Sequence, residues 1–456
     1  MSFFIKGKQV NGVKRAKYSK ERMKKRKLNI HKNASKNEVI TSSEDEDLPH
    51  DDEPEIPSED ENETAQEKKL RLAKIYLEEI EREEKIRLEK GEIDQSVISK
   101  RLKEDYLRDT GKLRLTVADQ YEGVSKSNIK LLKCREQRNS ITCFCVTSED
   151  KYLFAGSKDG VVVKYSLEDF KKVGLIPFVK QQSSEKILGH SSKILSIAVS
   201  TDSKFLVVGD ESSDIHIWDP NSLQFVKKLM GHKGPITGLS FKRDSHTLYS
   251  CSKDRAVKVW NLDEMAYVET LFGHQDPVAS VDTLYRDRVV TCGGRDIRIW
   301  KITEETQLIF NGHSGNIDNV RLINEENFVT GGDDGQICVW SVMRKKPLCI
   351  VEQAHGKDST NGLPNWVSAV TLLNTDMIAS GSSDGFVKVW KLENNFKSVK
   401  LLLKIPVEGF VNSLCFTSDG NRLIVGVGKE HKFGRWTTIK SAKNCILVLP
   451  LVKRSS

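Results

Sequence analysis

Several features that mark whole classes of protein are missing from this chain. No apolar run approaches the roughly 18 residues that a membrane-spanning helix needs. The first residues, Met1–Lys6, lack the apolar stretch of a secretory signal. The nine cysteines form no CxxC pair, which favours reduced thiols in an intracellular protein over disulfides or zinc ligands. We therefore expect no membrane partner, no metal and no cofactor.

Catalytic signatures are also missing. The chain has no GxSxG, no HExxH and no GxxxxGK[ST], and glycine-rich pieces such as Gly331–Gly335 have the composition of turns. We therefore predict that the protein is not an enzyme. Hydrophobic content is 38% and charged content 30% over 456 residues, and this balance predicts a solvated segment attached to a folded domain.

The solvated segment is expected over residues 1–63, which are first basic and then acidic. The spacing of two basic clusters resembles a bipartite nuclear import signal. Such clusters also bind nucleic acid by neutralising phosphates, and a simple solvated tail remains the alternative. The clusters consist of Lys14, Arg15, Lys24, Lys25, Arg26 and Lys27. Ser42 and Ser43 precede the acidic block, a context that resembles sites of acid-directed kinases, so both are candidates for phosphorylation.

A helical segment is predicted next, over residues 64–128. Thr64 and Glu67 fit a capping box, and apolar residues then recur at three- and four-residue steps as far as about Gly91. A second helix is predicted from about Asp94 to Gly111. Such charged helices need a surface to cover, either on the folded domain or on another protein of an assembly.

The folded domain, residues 129–456, is built from a repeat. A Gly-His pair is followed by a strand that ends in Trp, and the unit recurs roughly every 40–50 residues, the period of WD40 repeats. Copies without Gly-His extend the series at both ends, with Tyr165 and Trp436 in the aromatic position. The pattern predicts an all-β fold, a seven-bladed propeller of four-stranded sheets.

The seventh blade is expected to use Phe433–Trp436 as its third strand. Closing the ring needs one further strand from a chain end. Cys445–Leu449 and Ile129–Leu132 are both candidates, and the sequence leaves the choice open.

The repeated His, Asp and Trp residues resemble catalytic groups, but they recur in blade after blade, whereas an active site occurs once. In WD40 proteins the Asp accepts a hydrogen bond from the Gly-His histidine, because a buried imidazole and a buried indole each need a partner. We interpret them as a packing network. It comprises His190, His232, His274, His313, Asp254, Asp334, Asp384, Trp218, Trp260, Trp300, Trp340 and Trp390.

Strings outside the repeat consensus resemble one particular family, the U3 small nucleolar RNA-interacting WD-repeat proteins. These strings are EKKLRLAKIYLE at 67–78, RLKED at 101–105, YVETLFGHQD at 267–276, CGGRD at 292–296, LINEE at 322–326 and GKEHKFGRW at 428–436. The resemblance covers roughly residues 63–451; the tail is similar only in charge.

The resemblance implies a binding and scaffolding subunit of the U3 box C/D small nucleolar ribonucleoprotein. The implied ligand is the box B/C region of U3 RNA, bound beside the small kink-turn-binding protein. Fibrillarin and Nop56/Nop58 would belong to the same particle. The implied role is processing of pre-ribosomal RNA to 18S rRNA within the pre-rRNA processing complex, in the nucleolus.

Basic residues in the loops between strands are the candidates for RNA contact, since structured RNA is bound through phosphates and 2′-hydroxyls. Each of them could equally be ordinary surface charge. The candidates are Lys253, Arg255, Arg295, Arg298, Lys429, His431, Lys432 and Arg435.

The alternative function is a nuclear WD40 adaptor that binds peptides or ubiquitin-ligase components. Such adaptors often carry WDxR after the third strand. Here Trp218 is followed by Asp-Pro-Asn, and no other Trp precedes Asp, which disfavours this class.

Overall fold

The computed structural model describes residues 116–125, 128–180, 189–358, 361–434 and 437–454. It also describes eight earlier residues, all α-helical: Leu70, Arg71, Lys74, Ile75, Ser99, Leu102, Lys103 and Leu107. The first four belong to one compact unit, Met1–Glu79, and the rest of the described chain belongs to a second, Ile80–Ser456.

These eight residues lie within the two predicted helices. The predicted import signal, the acidic block, Ser42 and Ser43 lie outside the described residues. Among the residues described, no helix has the length and apolar character needed to cross a membrane.

In the part of the chain that the structure describes, twenty-nine strands form seven sheets, which confirms the predicted seven-bladed propeller. Two short strands come first, β1 (Tyr121–Val124) and β2 (Lys130–Leu132). Three complete four-stranded blades follow. Blade 1 contains β3 (Ile141–Val146), β4 (Tyr152–Ser157), β5 (Val162–Ser166) and β6 (Lys172–Ile176). Blade 2 contains β7 (Ile194–Val199), β8 (Leu206–Asp210), β9 (Ile215–Trp218) and β10 (Phe225–Leu229). Blade 3 contains β11 (Ile236–Phe241), β12 (Thr247–Ser252), β13 (Val257–Asn261) and β14 (Ala266–Leu271).

The next three blades repeat this order. Blade 4 contains β15 (Val278–Thr283), β16 (Arg288–Gly293), β17 (Asp296–Lys301) and β18 (Thr306–Asn311). Blade 5 contains β19 (Ile317–Asn324), β20 (Asn327–Gly332), β21 (Ile337–Ser341) and β22 (Arg344–Val351). Blade 6 contains β23 (Ala369–Leu373), β24 (Met377–Gly381), β25 (Phe386–Glu393) and β26 (Ser398–Pro406).

Blade 7 is assembled from both ends of the domain. It contains β27 (Phe410–Phe416), β28 (Arg422–Gly428) and β29 (Cys445–Lys453), and both β1 and β2 pair with β29 as outer strands. The prediction of Phe433–Trp436 as its third strand is wrong, because β28 pairs with β29 instead. Trp436 itself lies outside the described residues. Of the two closing candidates, Ile129–Leu132 supplies part of the outer edge, while Cys445–Leu449 is the third strand.

The propeller also begins earlier than residue 129. A 3-10 turn, Ala118–Gln120, leads into β1. The backbone amides of Val117 and Ala118 donate to Asp376 Oδ2 of blade 6 at 2.7 and 2.8 Å. Lys391 of the same blade lies 2.6 Å from Asp119. Residues 117–124 therefore belong to the propeller and not to the preceding helical segment.

Packing between blades holds the ring together. The described residues form seven hydrophobic clusters, and each joins two adjacent blades, including blade 7 to blade 1. The blade-2/blade-3 cluster, for example, combines Val207 and Ile217 with Leu248 and Trp260. Because each blade buries its faces only against its neighbours, the hydrophobic core is complete only when blade 7 packs against blade 1.

Candidate functional site

The Gly-His histidines and the tryptophans meet at one hydroxyl in several blades. In blade 3, His232 Nδ1 lies 2.9 Å from Asp254 and Nε2 lies 2.8 Å from Ser250 Oγ, to which Trp260 Nε1 also donates at 2.8 Å. Blade 5 repeats this with His313, Asp334, Thr330 and Trp340, and blade 6 with His355, Asp384, Ser380 and Trp390. The histidines, hydroxyl residues and tryptophans are buried and the aspartates are partly buried, and all are engaged with one another, as packing requires.

Blade 4 lacks the aspartate of this network. Its turn between β16 and β17 is shortened to Gly294 and Arg295, so Asp296 lies within the strand. His274 and Trp300 still share Thr291, at 2.7 and 2.8 Å. Burial, and secondarily the charge of Arg298, lowers the pKa of His274 to about 4, so its ring is neutral at physiological pH.

Blade 2 departs most strongly from the network. Val208 occupies the position of the hydroxyl residue, opposite His216. His190, Asp210 and His216 are all buried, and their side chains lie close together. His190 and Trp218 consequently have no shared hydroxyl of the kind found in blades 3 to 6.

We define the upper face of the propeller as the end of the blades that carries the loops between second and third strands. In a four-stranded antiparallel blade the connections between successive blades lie at this same end. In blade 7 the corresponding loop spans residues 429–444, far longer than its equivalents; we call it the blade-7 loop. It contains four of the eight RNA-binding candidates.

The blade-7 loop is anchored to its neighbours by polar contacts. Lys158 of blade 1 forms an ion pair with Glu430 at 3.2 Å and donates to the carbonyl of Gly434 at the same distance. Asn412 on β27 accepts from the amide of Lys432 at 2.9 Å and donates to the carbonyl of Glu430 at 3.0 Å. The loop thus has a defined conformation at this end.

His431 is packed among aromatic rings at the base of the loop. Its ring centroid lies 5.7 Å from Trp366, 6.4 Å from Phe410 and 5.7 Å from Phe433. It is only 4% exposed. Burial, followed by the charges of Lys432 and Lys158, lowers its pKa to about 3. The structure therefore places His431 in a packing role.

Lys432 lies in the central channel. It lines a cavity of about 90 Å³ that is bounded by the first strands of all seven blades. Asp318, on β19, is the acidic group that acts most strongly on the pKa of Lys432. Burial raises the pKa of Asp318 to about 6, while the charge of Lys432 opposes the rise. The opposite charges of Lys432 and Asp318 therefore offset each other inside the channel. Lys432 does not project from the upper face.

The remaining RNA-binding candidates differ in the solvent exposure of their side chains. Arg298 is only 5% exposed and its guanidinium donates to Gln307 at 2.8 Å. Arg435 lies outside the described residues. Lys253, Arg255, Arg295 and Lys429 are exposed, each in or beside a loop between second and third strands.

Two of these loops meet across the channel. Lys253 Nζ, from blade 3, lies 5.3 Å from the ring of Phe433 in the blade-7 loop. Lys233, in the connection entering blade 3, is also exposed, and its amide donates to Asp254 beside Lys253. Lys233 is not among the candidates predicted from the sequence, because those lie only in or beside the loops between second and third strands. We define the upper-face basic group as five of the exposed cations on this face, Lys233, Lys253, Arg255, Arg295 and Lys429.

The opposite mouth of the channel is open and has a different character. A cavity of about 620 Å³ there is lined by the ends of the first strands and by the turns that follow them. Arg321 on its wall pairs with Asp282 at 3.2 Å, and the exposed Arg243 stacks near Tyr285. Its cationic groups therefore already have partners within the chain.

Comparison with known proteins agrees with this architecture. The family model described as "WD domain, G-beta repeat" matches residues 129–166, 181–219, 223–261, 304–341 and 360–391. The U3 small nucleolar RNA-interacting protein 2 of Homo sapiens is 43% identical over 393 residues, covering 85% of this chain and 82% of the human protein. The chain belongs to the family of U3 small nucleolar RNA-interacting WD-repeat proteins.

A more distant relative and two solved structures also match. The ribosomal RNA-processing protein 9 of Saccharomyces cerevisiae is 27% identical over 454 residues that cover 78% of this chain and 79% of the yeast protein. The solved structure entitled "Structure of U3-55K" has a TM-score of 0.69 and 44% identity, covering 72% of this chain and 100% of the solved chain. "Crystal structure of RRP9 WD40 repeats" matches with the same TM-score at 43% identity over 73% of this chain and 100% of that chain. The family predicted from the sequence is thereby confirmed.

Proposed function

We propose that this protein is a U3 RNA-binding scaffold subunit that acts in the maturation of ribosomal RNA. The names of its relatives support a role in the U3 ribonucleoprotein and in rRNA processing. The observation that carries the proposal is the upper-face basic group, a set of exposed cations gathered on one face of a rigid ring. Exposed Lys and Arg on a rigid surface can follow the phosphates of a folded RNA.

The finer parts of the proposal follow from the family. The RNA is the box B/C region of U3, bound together with the small kink-turn-binding protein, in a particle that also contains fibrillarin and Nop56/Nop58. The protein acts in the release of 18S rRNA in the nucleolus. Within this scheme the propeller itself is non-catalytic, since its repeated His–Asp pairs are engaged in packing.

Two parts of the chain ahead of the propeller have proposed roles as well. Residues 1–63 carry the import and nucleolar targeting signals, with Ser42 and Ser43 as sites for phosphate. The helical segment that follows offers an apolar stripe to the propeller or to another protein of the particle.

Reversing charge on the upper face tests the proposal. The quadruple variant Lys253→Glu, Arg255→Glu, Arg295→Glu and Lys429→Glu is measured against a box B/C RNA fragment with the kink-turn-binding protein present. We expect affinity to fall on the order of ten- to a hundredfold. The slope of log affinity against log salt should also shrink by about one for each phosphate that the variant no longer neutralises.

A variant of equal charge on the lower face is the matched control. Lys151, Lys204, Arg243 and Arg286 are exposed in the turns between first and second strands, and their reversal to Glu should change binding much less. Equal decreases in affinity for the two variants would mean that net charge, and not this face, governs binding.

The alternative function is separated by isolating the protein from cells and sequencing the RNA that accompanies it. Enrichment of U3 supports the scaffold function. Absence of U3, together with recovery of peptide-containing complexes, would favour the adaptor function instead.

A further inference from the structure

The buried side-chain cluster in blade 2 has a composition found nowhere else in the described part of the chain. His190, Asp210 and His216 each offer a ligand atom, and these three atoms lie within 4.8 Å of one another. His190 and Asp210 are 0% exposed and His216 is 3% exposed. Two imidazoles and a carboxylate are ligand types that zinc prefers.

The cluster arises from two substitutions at facing positions of the repeat. Blades 3, 4, 5 and 6 carry Ser or Thr on the second strand, opposite Lys258, Arg298, Cys338 and Lys388 respectively. Blade 2 has Val208 opposite His216. The hydroxyl that would hold His190 is absent, and a second imidazole stands beside it.

The distances suit a bridging ion better than hydrogen bonds. Asp210 Oδ2 lies 3.8 Å from Nδ1 of His190 and 3.8 Å from Nδ1 of His216. A nitrogen–oxygen hydrogen bond requires roughly 2.7–3.2 Å. Ligands around tetrahedral zinc, each at about 2.0–2.2 Å from the ion, lie about 3.3–3.6 Å apart. Since the three ligand atoms lie within 4.8 Å of one another, movements of up to about 1 Å would bring three of the four ligands of a tetrahedral shell into place.

Hydrogen bonding leaves the atoms that face the centre without partners. Among the described residues, neither nitrogen of His190, nor Nδ1 of His216, nor Oδ2 of Asp210 has a hydrogen-bond partner. The other oxygen of Asp210 accepts from the hydroxyl and the amide of Ser212, at 2.5 and 3.0 Å. This fixes the carboxylate with Oδ2 turned towards the imidazoles, an arrangement common around metal ligands. An anionic carboxylate buried without a cation is costly, and a bound cation would offset that cost.

From these observations we infer that His190, Asp210 and His216 form a zinc site inside blade 2, which fastens the connection entering the blade to its second and third strands. No metal was expected from the sequence, because the chain has no CxxC pair and His190 was interpreted as a member of the packing network. The site is structural in character, since it lies in the core between strands.

Zinc content of the full-length chain, produced without a histidine tag, tests the inference. After exposure to Zn²⁺ and removal of excess metal, we expect about one zinc per chain by elemental analysis and a rise in Tm that chelation reverses. The His216→Lys variant, which introduces the residue found at this position in blades 3 and 6, should lose the zinc and the chelator-sensitive shift in Tm.

A second variant keeps the outcome interpretable if His216→Lys unfolds. Val208→Ser combined with His216→Lys rebuilds the arrangement of blade 3 and should fold without zinc. The reverse change in blade 3, Lys258→His, leaves His232 bonded to Asp254 and Ser250 and should gain no zinc. A folded wild-type chain that retains no zinc would overturn the inference. So would zinc content that is unchanged in both His216→Lys variants.

Discussion

The hydroxyl of Thr330 holds the packing network of blade 5, and its removal gives a measurable prediction. The hydroxyl lies 2.7 Å from His313 Nε2 and accepts from Trp340 Nε1 at 2.8 Å, and all three side chains are buried. Because Asp334 accepts from Nδ1, Nε2 is the accepting nitrogen, so the Thr330 hydroxyl donates to it. Thr330→Val keeps the shape of the side chain but leaves both the imidazole and the indole without a partner.

The magnitude follows from the removal of these two hydrogen bonds. A buried polar group left without a partner costs about 1–3 kcal/mol, so the two groups together should cost the variant about 2–6 kcal/mol of unfolding free energy. With an unfolding entropy of roughly 2.1 cal/mol/K per residue over a propeller of about 330 residues, this lowers Tm by about 3–9 °C.

Thermal unfolding followed by circular dichroism is the assay, with Thr330→Ser as the matched control. Serine occupies this position in blades 3 and 6 as Ser250 and Ser380, both hydrogen-bonded to a tryptophan. It preserves the hydroxyl and removes one methyl group, at about 1 kcal/mol. If Thr330→Val melts at or above the temperature of Thr330→Ser, the hydroxyl does not hold the network and the reasoning fails.

Two further predictions concern the blade-7 loop and the start of the propeller. The pKa of His431 in the folded protein is lowered to about 3 from its ordinary 6.5. Between these two pH values the folded form binds fewer protons than the unfolded form. The contribution of His431 to the stability of the loop is therefore complete above about pH 6.5 and is lost as pH falls towards 3. Fluorescence of the neighbouring Trp366 should report this opening, and a His431→Phe variant that retains the same acid transition would contradict it. A chain truncated to begin at residue 116 should fold, whereas one beginning at 129 lacks β1 and the amides bound by Asp376 and should melt lower or aggregate; equal Tm values by scanning calorimetry would show that β1 is dispensable.

The periodic part of the fold was predictable because its signals are local. Each repeat carries its own Gly-His, turn and aromatic residue, so the number of blades and the packing role of residues such as His232 and Asp254 could be read along the chain. Family membership was predictable too, since its distinguishing strings are contiguous. The prediction of the third strand of blade 7 was wrong because the sequence around Phe433–Trp436 resembles a repeat strand. The strand that pairs with β28 begins at Cys445, after a long insertion.

The candidate site depended more heavily on contacts between distant residues. Lys432 and Lys429 lie in one loop of the sequence, yet Lys432 lines the channel and Lys429 is exposed to solvent. From the sequence, His190 was assigned to the packing network of its own repeat, and His216 was given no role. Their approach to Asp210 depends on which residues face each other across strands β8 and β9.

The sequence by itself therefore determined the repeat, the number of blades and the family, because each of these is encoded in short contiguous segments. Only the tertiary structure decided how the ring closes, what crosses the channel, which cations reach solvent and which imidazoles meet. Those outcomes depend on pairing and burial between residues far apart in the chain, where many alternatives share the same local pattern and packing selects among them.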